Sequence, residues 1–321
     1  ISEGGDEESV LHLLETATGS LLPDRIDRCR AATVAFEPGN RAFLYSRQPK
    51  PGTVPAGEEA YHRHVRRHVL GTDPEADADL LGEGRPMTDF PGALSVAAGG
   101  RWATCVLSQG WTRTAVFLRR GEGPFEAFFE GIEALVHPWF DGDRLLAVTN
   151  HEAPRWRLVE IDPERPDPGS WRTLVPESEH VLLDAASAKG VLLVHHLVRA
   201  ASRVSVHASD GAFERFLDVP PFSTVTAIGA DPERSDAYLT VQGYTRPPAV
   251  LELEPAGGRT RTVEALAPPP GFDPDRHPTR QVAYRSKDGT EVTMFLVGRT
   301  GGSGPTLLTG YGGYNVNRTP L

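Results

Sequence analysis

The chain has 321 residues, 39% of them hydrophobic and 24% charged, so it can form one large domain or two of ordinary size with ample core. Its formal net charge is −10, with 43 acidic against 33 basic residues, which argues against a phosphate-backbone partner. No run approaches the roughly 18 consecutive apolar residues that a membrane helix needs. We therefore expect a globular protein that binds neither nucleic acid nor membrane.

The amino-terminal residues resemble the interior of a longer chain. They read Ile-Ser-Glu-Gly-Gly-Asp and lack an initiator Met, a basic segment and an apolar segment. No signal peptide is therefore visible. We expect residues upstream of this sequence and a cytoplasmic protein, with the periplasm or secretion as the alternatives.

Neither the histidines nor the cysteines predict a metal or redox site. Residues 62–68, His-Arg-His-Val-Arg-Arg-His, form the densest cationic stretch, and their alternation predicts a strand with a solvated face. No Cys, Asp or Glu accompanies these histidines at ligand spacing, so we expect no metal and no other cofactor. Cys29 and Cys105 lie outside any CxxC motif, which indicates small buried hydrophobes.

A repeat runs through the middle of the chain. Each copy has a β-rich run, a polar turn and a second β-rich run, and the starts are 43, 46 and 46 residues apart: 102–120, 145–162, 191–209 and 237–255. A looser copy covers 41–47 and 62–72, and a leading half unit covers 9–24. This period is typical of β-propeller blades. We predict a mainly β fold with five blades and the half unit.

The composition changes after the last repeat. Residues 266–274, Leu-Ala-Pro-Pro-Pro-Gly-Phe-Asp-Pro, cannot form a central strand, so we place a propeller domain at 1–272 and a second domain at 273–321. Alternating runs at 281–286 and 291–297 flank Lys-Asp-Gly-Thr and predict a β-hairpin. The apolar run at 305–308 predicts a buried strand that leads into a glycine loop.

Three motifs of the second domain resemble the prolyl oligopeptidase family of serine peptidases. They are Ser-Lys-Asp-Gly-Thr at 286–290, Met-Phe-Leu-Val at 294–297 and Gly-Tyr-Gly-Gly-Tyr-Asn at 310–315, followed by Thr319-Pro320. Residues 68–73 and 171–178 are similar to the inter-strand segments of that family's propeller. The resemblance implies a seven-bladed propeller, with the first blade and a half missing, followed by the first strands of an α/β-hydrolase domain.

The resemblance also assigns roles to site residues. Tyr311 would donate its hydroxyl to the oxyanion of the tetrahedral intermediate. Tyr314 would line a proline pocket, where the family more often has Phe, and Asn315 would fix the loop or contact the substrate. Trp111, in the turn 108–112, is a candidate substrate contact, with a packing role as the alternative. No G-x-S-x-G elbow occurs, so the Ser-Asp-His triad would lie beyond Leu321.

The function that the resemblance implies is that of a serine endopeptidase, of which this chain is a part. It would hydrolyse short peptides after proline, and the propeller would keep folded proteins out. The expected partners are short proline-containing peptides and the remainder of the hydrolase domain. Two alternatives stay open: a non-catalytic propeller that binds proteins, and a related oligopeptidase specific for basic residues or N-terminal dipeptides.

Overall fold

The chain is almost entirely β-structure. The computed structural model describes residues 1, 4–5, 7–254, 259–299, 301, 304–313 and 317–321. These residues form 24 strands and three short 3-10 helices (Pro74–Ala76, Pro168–Ser170 and Pro274–Arg276). In this described part, no helix is long and apolar enough to cross a membrane. The chain divides into two compact units, Ile1–Thr173 and Leu174–Leu321.

The first unit contains a two-stranded sheet and three four-stranded antiparallel sheets, in which strands pair in chain order. The small sheet consists of β1 (Leu11–Glu15) and β2 (Ser20–Ile26). The larger sheets are called blades 1 to 3. Blade 1 comprises β3 (Val34–Phe36), β4 (Ala42–Arg47), β5 (His64–Val69) and β6 (Ala78–Leu81), and blade 2 comprises β7 (Phe90–Val96), β8 (Trp102–Ser108), β9 (Thr114–Arg120) and β10 (Phe125–Phe129). Blade 3 comprises β11 (Val136–Asp141), β12 (Arg144–Thr149), β13 (Arg157–Ile161) and β14 (Arg172–Val175).

The second unit contains two further four-stranded sheets and a hairpin, again paired in chain order. Blade 4 comprises β15 (Val181–Ala188), β16 (Val191–Val198), β17 (Ala201–Ala208) and β18 (Phe213–Phe216). Blade 5 comprises β19 (Thr224–Ala230), β20 (Ala237–Gln242), β21 (Ala249–Glu254) and β22 (Arg259–Ala265). The hairpin is β23 (Thr279–Arg285) and β24 (Glu291–Val297). The five repeats, the leading half unit and the hairpin are thus confirmed. Residues 172–175, compared above with an inter-strand segment, form the outer strand β14 instead.

The core lies between neighbouring blades, and several middle strands are covered on both faces. In β4 every residue is buried, and in β12 all but the first are buried. Val106 and Val116 of blade 2 share one hydrophobic cluster with Val136 of blade 3. Such strands read as continuous apolar runs rather than as alternating ones.

Both cysteines lie in this core, as the sequence predicted. Cys29 is 4% exposed and Cys105 is fully buried. Burial raises the pKa of the Cys29 thiol to about 11 and also raises that of Cys105. Neither thiol is therefore ionised near neutral pH, and both behave as small apolar side chains.

The predicted solvated face of residues 62–68 is wrong at His68. This side chain is fully buried, because the rings of Phe43 and Tyr45 and the carboxylates of Asp24 and Asp77 surround it. Its Nε2 lies 3.0 Å from Oδ1 of Asp24, and its Nδ1 lies 3.0 Å from the carboxylate of Asp77. The Tyr45 hydroxyl donates to Asp77 at 2.7 Å. The His68 imidazole therefore links two buried carboxylates.

This buried cluster joins the leading sheet to blade 1, because Asp24 belongs to β2 and His68 to β5. Burial opposes ionisation of Asp24, but the Gly71 amide and His68 together hold the pKa of this carboxyl below its ordinary value. Arg47 of β4, whose side chain is almost fully buried, makes ion pairs with Asp27 and Glu75 nearby. Both carboxylates are partly exposed, so it is the Arg47 guanidinium that would stay buried, charged and unpaired if they were removed.

We expect His68→Leu to lower the free energy of unfolding by about 3 kcal/mol or more, because it removes a hydrogen-bond partner from each of two buried carboxylates. Urea unfolding of the chain measures this quantity. His64→Leu on the same strand is the control: its partner Asp79 is partly exposed, so the loss should stay under about 1 kcal/mol. Equal losses in the two variants would contradict the role given to His68.

Two buried histidines of blade 4 make stability depend on pH. Nε2 of His195 lies 2.8 Å from the Ser202 hydroxyl, which in turn accepts the Val225 N–H of blade 5 at 2.8 Å. Burial lowers the pKa of His195 to about 4, with His196 adding to the effect. Burial likewise lowers the pKa of His196 to about 4, with the Arg203 charge as a further cause. Both rings are therefore neutral near pH 7.

The folded-state pKa of His195 lies below its ordinary value of 6.5, so the unfolded chain binds more protons between these values. We expect full stability above about pH 6.5 and a loss on the order of 3 kcal/mol for His195 as the pH falls to about 4. Urea unfolding at several pH values measures this slope. His195→Asn should flatten it, and His12→Asn in the first unit should not. An unchanged slope in His195→Asn would contradict the assignment.

Candidate functional site

The hairpin β23–β24 provides a rigid base for the carboxyl-terminal residues. Its strands pair without irregularity from Thr279 opposite Val297 to Arg285 opposite Glu291. In the turn, the carboxylate of Asp288 accepts the Thr290 N–H at 3.0 Å and the Ser286 hydroxyl. These hydrogen bonds lower the pKa of Asp288 to about 2. Gly289 has φ +85°, a conformation that favours glycine, which explains the Asp-Gly of the motif.

The hairpin packs on blades 4 and 5 through a few side chains. The Phe295 ring contacts Phe222 and Tyr244 edge-on, with centroids 6.1 and 5.4 Å apart. Gln281 Nε2 donates to the carbonyl of Arg199, in the turn between β16 and β17, at 2.5 Å. The hairpin is therefore held by a small aromatic cluster and a hydrogen bond to a blade turn.

A pocket of about 550 Å³ lies between blade 5 and the segment that leads to the hairpin. Phe222 and Tyr244 line it from blade 5, and Leu266, Pro268 and Pro278 line it from the connecting segment. Burial raises the pKa of Tyr244, while the charge of Arg318 acts in the opposite direction. The lining is more apolar than polar, and its polar groups include the Tyr244 hydroxyl, Arg246 and Asp275, a mixture that is common for binding sites of small ligands.

The predicted oxyanion donor Tyr311 lies at the surface. Its side chain is 51% exposed, and the guanidinium of Arg318 lies 5.7 Å from the centre of its ring. Arg318 therefore acts on both Tyr311 and Tyr244. Tyr314 and Asn315 fall outside the described residues. The loop thus presents an accessible tyrosine beside a cation.

Trp111 belongs to the other unit, in the turn between β8 and β9. Its side chain is 83% exposed, which is not a core position. The turn between the second and third strands of a blade is also where Tyr244 lies in blade 5, and there it lines the pocket. Trp111 thus occupies the corresponding turn of its own blade.

The predicted buried strand at residues 305–308 is wrong for this chain. These residues form no strand, and Leu307 and Leu308 are 91% and 80% exposed. A strand needs a neighbour for its N–H and C=O groups and a cover for its apolar face. No strand of the described residues pairs with this run. The local sequence can indicate a strand, but it cannot supply the neighbour.

Sequence reasoning did not identify Phe222, Tyr244 or Arg318 as part of this region. The turn Gly243–Pro247 holds an aromatic residue between turn-forming residues, just as the Trp111 turn does. That similarity was the available signal for Tyr244. The residues around Arg318 form no motif that indicates a role for it, because its position over the Tyr311 ring depends on how the chain folds back.

Blades of four antiparallel strands paired in chain order define the chain as a β-propeller protein. A family model described as "Prolyl oligopeptidase, N-terminal beta-propeller domain" matches residues 1–265. The chain belongs to the prolyl oligopeptidase family of serine peptidases. The predicted β-propeller and the predicted family are both confirmed.

Curated relatives and solved structures agree with this assignment. The chain is 24% identical over 329 residues to the prolyl endopeptidase of Elizabethkingia meningoseptica, covering 100% of this chain and 46% of the relative. A solved prolyl endopeptidase structure matches 98% of this chain and 47% of its own, with 29% identity and a TM-score of 0.88. Prolyl oligopeptidase B of Galerina marginata, bound to a 25mer macrocyclization substrate, has the same fold, with 18% identity, coverage of 91% and 44%, and a TM-score of 0.77. The chain spans about half the length of these relatives.

We expect Phe295→Ala to loosen the hairpin selectively, because Phe295 carries its aromatic contacts with blade 5. Amide hydrogen exchange in β23 and β24 should accelerate roughly 30-fold, equivalent to about 2 kcal/mol. Exchange in blades 1 to 3 should not change. Tyr284→Ala on the same hairpin removes an exposed ring and should have little effect. Equal effects in both variants would contradict docking through Phe295.

Proposed function

We propose that this chain is the propeller and the first edge of the hydrolase domain of a serine endopeptidase that cleaves short peptides on the carboxyl side of proline. The main support is the accessible Tyr311 of the Tyr-Gly-Gly loop, which follows a hairpin docked on the last blade of a prolyl oligopeptidase-family propeller. The names of the relatives, prolyl endopeptidase and prolyl oligopeptidase, support the proline specificity. In this proposal residues 273–321 belong to the hydrolase domain.

Tyr311 would act as a donor to the oxyanion. A phenol hydroxyl is neutral near pH 7 and donates one hydrogen bond from a rigid ring. The negative charge that develops on the carbonyl oxygen would be stabilised by this donor. The guanidinium of Arg318, 5.7 Å from the ring centre, adds a positive charge on the same side of the loop. The catalytic serine, aspartate and histidine would come from residues beyond this sequence.

The remaining predicted residues would bind the peptide. Tyr314 would offer an aromatic face to the pyrrolidine ring, which gains burial without needing a donor. Asn315 would hold the loop beside it. Trp111 would contact the peptide from blade 2, a role supported by its 83% exposure and by its place in a turn between second and third strands.

The exposed run at 305–308 would pair with the remainder of the hydrolase domain. Leu307 and Leu308 expose apolar side chains, which a neighbouring element of the remaining hydrolase domain would cover. The propeller would then cover the active site and admit only short peptides. Folded proteins would be excluded by size.

Replacing Tyr311 tests the catalytic role in the enzyme that contains this sequence. We expect Tyr311→Phe to lower turnover of a proline-containing chromogenic peptide by about 100- to 1,000-fold, with less effect on KM, because one oxyanion donor is lost. Tyr284→Phe removes a hydroxyl from the hairpin and is the control. Unchanged turnover in Tyr311→Phe would remove Tyr311 from the oxyanion role.

A further inference from the structure

The turn between β12 and β13 of blade 3 holds a backbone conformation that its residues disfavour. Glu152 has φ +52° and Trp156 has φ +70°, both in the left-handed region. For a bulky residue this costs on the order of 1 kcal/mol or more. Glycine would form the same turn without that cost. Trp156 therefore adopts this backbone conformation at a local cost in free energy.

Hydrogen bonds fix this turn in place. The side-chain oxygen of Asn150 accepts the Leu135 N–H at 2.6 Å, and the Thr149 hydroxyl donates to the Leu135 carbonyl at 2.8 Å. The Trp156 N–H donates to the Ala153 carbonyl at 2.7 Å. Such bonds over-determine a strained backbone and pre-organise its side chains. The Trp156 ring is thereby presented in one orientation.

The Trp156 ring forms a parallel stack with an imidazole. Its centroid lies 5.4 Å from that of His137 on β11, with an angle of 9° between the planes. His137 is exposed and Trp156 is half-buried. Burial by the surrounding protein nevertheless lowers the pKa of His137. The imidazole is therefore neutral near pH 7 and accessible to solvent.

This stack is poorly explained by core packing. A core role would bury both rings, whereas the hydrophobic cluster shared by blades 2 and 3 includes neither His137 nor Trp156. The indole covers one face of the neutral imidazole, and the exposed His137 can offer its other face to a further flat ring. Blade 2, in the same unit, also carries a tryptophan in its corresponding turn, Trp111. Two successive blades therefore present an indole in the turn between their second and third strands.

We infer that His137 and Trp156 form a specificity platform that binds an aromatic side chain of a peptide substrate. This inference rests on the proposed function for the choice of a peptide as ligand. The ring of the peptide stacks on the pair, and the imidazole offers a hydrogen-bonding nitrogen to the peptide backbone. The platform determines which peptides bind and takes no part in bond cleavage.

The test compares two probe peptides, acetyl-Gly-Pro-Phe amide and acetyl-Gly-Pro-Gly amide, binding to the 321-residue chain. Titrations followed by NMR at the Trp156 indole give both dissociation constants; isothermal titration calorimetry gives them for the variant that lacks the indole. The unchanged chain should bind the Phe peptide about 2- to 10-fold more tightly, the range expected for one aromatic contact. His137→Asn and Trp156→Gly should bring this ratio to about 1.

A matched control separates the rings from the turn itself. Glu152→Asn tolerates the left-handed conformation, lies in the same turn and leaves both rings in place, so it should keep the ratio of the unchanged chain. Trp156→Gly should fold at least as stably as the unchanged chain, because it relieves the backbone penalty. A ratio that is unchanged in both ring variants, or the absence of binding at millimolar peptide, would overturn the inference.

The binding readout requires no hydrolysis, so it also distinguishes this inference from the proposed function. Acetyl-Gly-Ala-Phe amide replaces the proline and keeps the aromatic ring. This peptide could bind as tightly as acetyl-Gly-Pro-Phe amide, while the ratio between the Phe and Gly peptides still depends on His137 and Trp156. That result would count against a proline preference and support the platform. A binding ratio that does not depend on His137 and Trp156 would overturn the platform. It would leave the proposed function intact, because the Tyr311→Phe experiment tests that function separately through turnover.

Discussion

The fold depends on one constraint: within each blade, a strand finds its hydrogen-bonding partners only among its neighbours in the sequence. A blade built in this way satisfies its backbone locally but leaves two apolar faces, which only another blade can cover. Blades 2 and 3 share a core in the first unit, and blades 4 and 5 share another in the second. The leading sheet and blade 1 likewise share an apolar cluster, and the hydrogen bonds of His68 with Asp24 and Asp77 add a polar connection.

The same constraint explains where chemistry can be placed. Since the strands carry the packing, the turns are free to carry exposed side chains, and the turns between second and third strands do so repeatedly. Tyr244 in such a turn meets Phe295 of the hairpin, while Trp111 and Trp156 lie in the corresponding turns of blades 2 and 3. The hairpin in turn leads to Tyr311, which Arg318 accompanies. Within each unit, exposed aromatic side chains thus lie in connections that the sheets hold in place.

Much of the fold could be predicted from the sequence, because local patterns encode local pairing. The apolar runs of about 45-residue period and the Asp-Gly turns identified all five blades and the hairpin. Predictions failed where the outcome depended on distant neighbours. Residues 305–308 have the composition of a strand but no partner strand among the described residues. His68 belongs to a cationic stretch, yet its side chain is buried beside the carboxylates of Asp24 and Asp77, which lie elsewhere in the sequence. The stack of His137 on Trp156 joins residues from different strands, so no local motif announced it.

The central claim is that this chain is part of a serine hydrolase. The most direct measurement is to label the protein from its native source with a fluorophosphonate, which reacts with activated serines, and to determine the mass of the labelled species that contains this sequence. The account predicts labelling of a species well above the 34.8 kDa of this chain, blocked by a proline-containing peptide. An unlabelled protein, or one with a mass of 34.8 kDa, would contradict it and favour a propeller that only binds other proteins.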